Sequence, residues 1–306
     1  MIVAAAISVV LWASAFVAIR YAGRELSPGP LALARLMTGS IVLGAAMLGR
    51  RERPPSGRAL ALAIVSGLLW FGIYNLALNA AERRIDAGTS ALLVNTGPIF
   101  IALMAGWLLR EGFPRMLIAG CTVAFGGVAL IAVAVSRHGV HGTWGAALCI
   151  IAALAYAGGI IAQKPALRET SALALTWVAC TVAALVCLPY APELVRQLGH
   201  ARASAVAWTV YLGVGPLAIG FGSWSYALAR SSAGRLGATT YLVPPLVVLL
   251  SWAALGEVPP VLALPGGILC LAGVALTRRR GAAGEPTRPP AAGNGSAVVV
   301  TSASPR

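Results

Sequence analysis

Residues 95–114 read NTGPIFIALMAGWLLREGFP, and residues 241–260 read YLVPPLVVLLSWAALGEVPP. In each stretch a proline (Pro98, Pro244) is followed thirteen residues later by a glutamate (Glu111, Glu257) and three after that by another proline (Pro114, Pro260). The two stretches lie 146 residues apart, and the same shift also places Arg84, Gly88, Gly120, Gly127 and Leu130 on Arg230, Gly234, Gly266, Gly273 and Leu276. The glutamates carry the most weight, because the chain has only nine acidic residues. A weaker match further upstream sets Trp12 and Arg20 on Tyr156 and Lys164.

What surrounds these landmarks is apolar. Of 306 residues, 58% are hydrophobic and 10% charged, against about 25% charged in a soluble domain. Mean hydropathy is +0.83. These values exclude a soluble enzyme and a disordered chain. The net charge of +14 does not mark a nucleic-acid protein, because the basic residues are scattered between apolar runs rather than gathered on one face. A spanning helix needs roughly 20 apolar residues. Stretches free of Asp, Glu, Lys and Arg cover 1–19, 59–81, 87–109, 116–136, 138–163, 170–192, 203–229, 236–256 and 258–277; a tenth, 29–49, is broken only by Arg35. The chain is predicted to be an all-α membrane protein with ten transmembrane helices. The first run lacks a basic leader and a cleavage-like site, so it is expected to be a span rather than a signal peptide. Cys121, Cys149, Cys180, Cys187 and Cys270 all fall inside apolar runs and read as small packing residues.

Combined with the repeat, ten spans become two units of five: helices 1–5 in residues 1–136 and helices 6–10 in 143–277. Five is odd, so the second unit enters the membrane from the opposite side. The halves are then inverted repeats, an architecture of secondary transporters with the solute site between them. Orientation follows the arginine bias. One side holds Arg50, Arg51, Arg53, Arg58, Arg110, Arg115, Lys164, Arg168, Arg230, Arg235 and Arg278 to Arg280, thirteen residues; the other holds Arg20, Arg24, Arg83, Arg84, Arg137, Arg196 and Arg202, seven. The richer side is predicted to be cytoplasmic, with both termini inside. Residues 278–306, rich in Gly, Ala, Pro and Ser, read as a disordered cytoplasmic tail. One lysine among 23 basic residues, with a heavy Ala and Gly load, suggests a high-GC bacterial source.

Trp12-x-Ser14-x-Phe16…Arg20, Pro30…Arg35 and the paired Pro98…Glu111 and Pro244…Glu257 elements resemble the EamA family of the drug/metabolite transporter superfamily. The resemblance spans residues 1–277. It implies a ten-helix, two-repeat carrier of the bacterial plasma (inner) membrane that exports amino acids, other metabolites or toxic compounds; some members import.

Pro98 and Pro244 sit mid-run at matched positions, where a proline frees a carbonyl that must find a partner or line a cavity. They are either opening points of the site or packing kinks. Asn75, Asn79 and Asn95 are amides in apolar runs and are expected to face the interior, either binding a polar solute or linking helices. Trp12, Tyr74 and Tyr241 lie near mid-run, away from the ends that anchoring aromatics prefer, and Tyr156 is matched to Trp12 by the repeat. The expected cavity lining is therefore Trp12, Tyr74, Asn75, Asn79, Asn95, Tyr156 and Tyr241, with core packing as the alternative for any single aromatic. Arg35 carries either a charge role or a structural one, within snorkelling reach of a helix start. Glu111 and Glu257 are expected to be structural, favouring the N-terminus of the following helix. No acidic residue lies in mid-run and no Walker A motif occurs. No cofactor, metal or nucleic-acid partner is expected; the partners are a small-molecule solute and the lipid bilayer, in a monomer or homodimer.

The resulting expectation is a secondary transporter moving a small organic solute outward by alternating access. A facilitative importer is the alternative. A polytopic membrane enzyme would need clustered Asp, Glu or His at the membrane surface, which this sequence lacks. A sensor or assembly partner would bring a folded soluble domain, and a channel would not show saturation and counterflow.

Overall fold

Helix caps mark where the apolar runs begin. Ser27 precedes Pro28-Gly29-Pro30, and proline is tolerated in a first turn because its missing N–H is not needed there. The Asp86 carboxylate accepts the Thr89 backbone N–H at 2.8 Å and the Thr89 hydroxyl at 2.7 Å. Ser171 Oγ accepts the Ala174 N–H at 3.0 Å. Gly256 takes the left-handed conformation that ends a helix, at φ 67°.

The structure is a computed structural model that describes residues 2–108, 115–136, 139–230, 236 and 239–278. Glu111 and the tail beyond Arg278 lie outside the described residues. Every regular element among the described residues is helical: α1 (Ile2–Ala22), α2 (Pro28–Arg50), α3 (Gly57–Ala81), α4 (Ala87–Val94), α5 (Gly97–Leu108), α6 (Arg115–Ser136), α7 (Gly139–Ala166), α8 (Ala172–Val186), α9 (Ala191–Leu198), α10 (Ala203–Ala229), α11 (Val243–Leu255) and α12 (Ala263–Arg278). Among the described residues, five helices are long and apolar enough to cross a membrane: α1, α2, α3, α7 (Val140–Ala166) and α10. The run at 170–192 is a bent pair, Ala172–Val186 and Leu188–Leu198, with 51° between its parts. The runs at 87–109, 116–136, 236–256 and 258–277 each hold a shorter apolar helix.

Two long helices are underwound in the middle. Gly67–Ile73 in α3 and Gly213–Phe221 in α10 are wound as π-helix, a form that appears mostly as single turns and concentrates at functional sites. The segment in α10 contains Pro216, which cannot donate the usual i→i−4 bond. The segment in α3 has no proline, and the tight contact of Gly67 with α8 lies at its start.

Small residues set the helix crossings, as expected where lipid removes the hydrophobic drive for association. A Cβ placed on Gly67 would stand 2.6 Å from the carbonyl oxygen of Ala179, and one on Gly213 would stand 2.8 Å from that of Arg35. In α6 and α12, a Cβ on Gly266 would stand 2.8 Å from the Gly127 carbonyl oxygen, and one on Gly273 2.5 Å from that of Gly120. All five cysteines are buried and free; Cys180 Sγ donates to the Leu36 carbonyl at 3.2 Å and Cys270 Sγ to that of Ala124 at 3.3 Å.

Candidate functional site

Aromatic rings from α1, α3, α7 and α10 meet in the centre of the bundle. Trp12 packs against Phe221 and Trp224 with ring centroids 5.3 and 5.0 Å apart. Trp70 packs against Tyr156 and Phe221 at 5.3 and 4.8 Å. Such pairs contribute about 0.5–1.5 kcal/mol each beyond their buried area, so the cluster fixes the four helices to one another. Glycines bring the backbones close enough: a Cβ on Gly159 would stand 2.5 Å from Trp70 Cβ, and one on Gly97 would overlap the Tyr156 ring.

Beside this cluster is a cavity of about 60 Å³, almost wholly apolar. Its walls are Trp12, Phe16, Trp70, Tyr74, Tyr156 and Phe221, closed by α4 (Ala91, Val94, Asn95) and by Thr240 and Val243. Asn95 is the amide in its wall. Asn95 Nδ2 donates to the Thr240 carbonyl at 2.8 Å, while Asn95 Oδ1 is buried and has no hydrogen-bond partner among the described residues. The Thr240 carbonyl is the one that residue 244 would engage in a regular helix. Pro244 has no N–H to give; the Val243 N–H of the 3₁₀ turn reaches that carbonyl instead, and the side-chain amide of Asn95 joins it across the two halves of the chain. Pro98 frees the Val94 carbonyl from its i+4 donor by the same chemistry. The prolines stand at the second position of α5 and α11, after a turn at Asn95-Thr96 and a 3₁₀ turn at Thr240–Leu242.

Of the residues expected to line a site, Trp12, Tyr74, Asn95 and Tyr156 border this cavity. Three do not. Asn75 donates to the Phe71 carbonyl of its own helix at 2.7 Å. Asn79 donates to the Pro28 carbonyl at 3.2 Å and accepts from Arg35 Nη1 at 3.4 Å, tying α3 to α2. Tyr241 is part of a satellite cluster with Ile99, Leu103, Cys121 and Ala124. Arg35 is 2% exposed and does not snorkel. Of the walls missed from sequence, Phe16, Trp70 and Ala91 each stand four residues from a wall residue that was expected (Trp12, Tyr74, Asn95), whereas Val94, Phe221, Thr240 and Val243 do not. For the first three, one helix face carried the signal.

A second, polar cavity of about 170 Å³ lies at one end of α1 and α3, bordered by Arg20, Arg24, Asn79, Glu82 and Arg83. Arg20 Nε donates to Glu257 Oε1 at 2.7 Å; Arg20 Nη2 also bonds that oxygen, and Nη1 bonds the Glu82 carbonyl. Glu257 Oε2 accepts the Ala87 N–H at 3.3 Å. Glu257 thus serves the starts of α4 and the end of α1 rather than the helix that follows it. Glu82, just past the charge-free run 59–81, is 1% exposed. A larger cleft of about 790 Å³ lies at the opposite end, bordered by Arg50, Glu52 and Arg230, and holds none of the residues expected from sequence.

Known proteins match this arrangement along most of the chain. A protein of Streptantibioticus cattleyicolor described as a probable terminal-alkyne amino-acid exporter is 39% identical over 276 residues, covering 90% of this chain and 92% of its own. A transporter of Bacillus subtilis is 29% identical, covering 87% of each chain. A Salmonella typhimurium protein described as a probable amino-acid metabolite efflux pump is 25% identical, covering 87% of this chain and 90% of its own. A solved crystal structure shares the fold at a TM-score of 0.61 and 20% identity, covering 90% of this chain and 96% of that one. The pattern of the EamA-like transporter family occurs twice, over residues 1–133 and 143–279. With apolar helices throughout and the family pattern over both halves, this chain belongs to the EamA-like transporter family.

Proposed function

We propose that the protein is a secondary carrier of the bacterial inner membrane that exports a small amino acid with an apolar side chain, by alternating access of the aromatic cavity. The observation that carries this reading is the Asn95–Thr240 bond. It places an amide from the first half on a carbonyl of the second that stands four residues before a proline, in the wall of an apolar cavity, and leaves Asn95 Oδ1 available to a solute ammonium. The relative named for a terminal-alkyne amino acid suggests the same class, a zwitterionic head with an apolar tail. A cavity of about 60 Å³ holds roughly four to six water-sized groups at 10–15 Å³ each. That is the size of an amino-acid head group, so a side chain requires the rings of Trp12, Trp70 and Tyr156 to part.

Ten spans arranged as two inverted units of five, 1–136 and 143–277, complete the proposal. Several contacts support it. The π-helical segments begin at Gly67 and Gly213, 146 residues apart. The pair Gly127–Gly266 becomes Gly273–Gly120 under the same shift. The contact of Gly67 with Ala179 becomes that of Gly213 with Arg35 when the upstream match, a shift of 144, is applied to the second member. Contacts that exchange in this way are what a two-fold axis requires. The basic bias of the loops favours cytoplasmic termini.

The test is counterflow. Purified protein in liposomes preloaded with one unlabelled amino acid should accumulate the same labelled amino acid against its gradient, with saturation. Leucine, norvaline and propargylglycine are the first solutes, with glutamate and lysine as controls. Accumulation of an apolar amino acid supports the reading; uptake that never saturates would indicate a channel and sink it.

A further inference from the structure

Among the described residues Glu82 is the only buried acid. It follows directly on the last turn of α3, and neither of its carboxyl oxygens has a hydrogen-bond partner among the described residues. An ionised carboxylate so placed lacks the bonds that offset its desolvation. Its charged surroundings are mixed. Arg20 on α1 and Arg35 on α2 favour the anion, whereas Glu257 after α11 and Asp86 before α4 oppose it. Arg24 and Arg83 complete the wall of the adjoining cavity, and Tyr74 of α3 and Cys149 of α7 are the other titratable side chains within electrostatic reach. Burial outweighs the two arginines and pushes the Glu82 carboxyl well above the usual carboxylate range.

Arg20 connects this carboxyl to the rest of the molecule. One guanidinium nitrogen already bonds the Glu82 carbonyl, while the other two bond the carboxylate of Glu257. Arg20 stands at the end of α1 in the first half, and Glu257 follows α11 in the second. The pair is therefore a clasp between the halves at the Glu82 end, and a second carboxyl waits beside it.

We propose that Glu82 is a proton site of the carrier, and that loss of its proton draws Arg20 away from Glu257 and releases the clasp. Neutral Glu82 leaves Glu257 as the only carboxylate for Arg20. On ionisation the O–H bond of Glu82 breaks, the proton passes to water in the 170 Å³ cavity, and Arg20 gains a competing anion on the residue it already touches. The ligand is a proton rather than an organic or metal cation, because Arg20, Arg24 and Arg83 crowd the same cavity and repel a bulkier positive charge. This inference rests on the carrier reading for its purpose, but its test does not.

Infrared difference spectra of the purified full-length protein in lipid, stepped from acid to alkaline pH, read protonated carboxyls by their carbonyl stretch. A band lost above the ordinary carboxylate range, absent in Glu82→Gln and retained in Glu257→Gln, is expected. A wild-type spectrum without such a band overturns the proposal before any variant is made, and so does a band that survives Glu82→Gln. The clasp is read by the distance between spin labels at Arg84→Cys and Val261→Cys, two exposed positions in a chain whose own cysteines are buried. That distance should lengthen as pH passes the infrared midpoint, and should stay short in Glu82→Gln. The same lengthening in Glu82→Gln overturns the coupling. If both changes occur without counterflow, the carrier reading fails and the proton site stands; counterflow without either change has the reverse meaning.

Discussion

Replacing Asn95 by leucine separates a binding amide from a helix tie. Leucine keeps most of the volume and removes both the donor to Thr240 and the unpartnered Oδ1. The lost bond between helices is worth about 0.6 kcal/mol on average in a membrane, and up to about 1.7. The Thr240 carbonyl keeps the Val243 N–H of its own 3₁₀ turn as a donor, so the loss should stay within that range. Removing the buried Oδ1 offsets part of it. A net destabilisation of about 1 kcal/mol lowers the unfolding midpoint by about 2–4 °C for a chain of this size. Solute binding should suffer more. A hydrogen bond to a charged ammonium contributes about 1.5–3 kcal/mol, so half-saturation in counterflow should rise about tenfold to a hundredfold. Asn95→Asp retains the acceptor and should bind better than the leucine variant. Thermal scans in detergent and saturation curves in liposomes, on the same preparations, read the two effects separately. A leucine variant with a lowered midpoint and unchanged half-saturation would refute the reasoning and leave Asn95 a helix tie.

Other expectations follow from the packing and the charges. Gly127→Leu drives a side chain into the backbone of α12, where a Cβ alone would stand 2.7 Å from the Cys270 nitrogen; overpacking of this kind costs about 1–3 kcal/mol, read as a lowered unfolding midpoint. Arg20→Gln with Glu257→Gln, taken singly and together, should show a coupling of about 1 kcal/mol that shrinks with added salt, since both side chains are partly exposed. For Glu82 the raised pKa of the folded state means that the folded protein holds a proton the unfolded chain has released. Stability should therefore fall as pH rises from the ordinary carboxylate value of 4.5 towards the folded value, and Glu82→Gln should flatten that slope in pH-stepped thermal scans. Trp70→Ala removes ring contacts with Trp12, Tyr156 and Phe221 and should cost about 3–5 kcal/mol, abolishing counterflow even where folded protein is recovered.

The helices were legible in the sequence because lipid leaves a chain few choices. Residues 59–81 and 203–229 carry no charge, and such runs must satisfy their backbone internally. What the runs do not encode is phase. Tyr74 and Asn75 are adjacent, hence about 100° apart around a helix, and only Tyr74 can face the cavity that Trp70 faces. Asn75 turns to its own preceding turn instead. Tyr241 stands opposite Asn95 in the repeat, yet it sits at a 3₁₀ turn and points into a different cluster. Glu82 was opaque for another reason. It stands just past an apolar run beside Arg83 and Arg84, the pattern of a solvated loop, and its burial comes from tertiary packing, with Ile19 and Arg20 of α1 beside it. Local sequence carries no record of that cover.

Under the proposed repeat, the scaffold and the chemistry obey different rules. The close contacts exchange across the two halves: Gly127 and Gly120 in α6 have Gly273 and Gly266 as counterparts in α12. These positions set helix crossings, and a carrier that closes at either end needs both closures to be packed about equally well. Apart from Trp12 and Tyr156, which correspond at the upstream shift and both line the cavity, the functional side chains do not exchange. Arg35 stands opposite Ala179, Asn95 opposite Tyr241, Tyr74 opposite Gly220 and Glu82 opposite Leu228. A single amino acid has no two-fold symmetry, so a cavity on the axis cannot bind it with duplicated groups without leaving one copy unpaired in an apolar wall, where an orphaned polar group costs about 1–3 kcal/mol. One amide at Asn95 and one proton-binding carboxyl at Glu82 avoid that penalty. The asymmetry also gives the two ends different chemistry: a titratable clasp at the Glu82 end, with no counterpart carboxyl at Leu228. A symmetric scaffold then supplies two states of similar energy, and a single ionisation at one end is enough to choose between them.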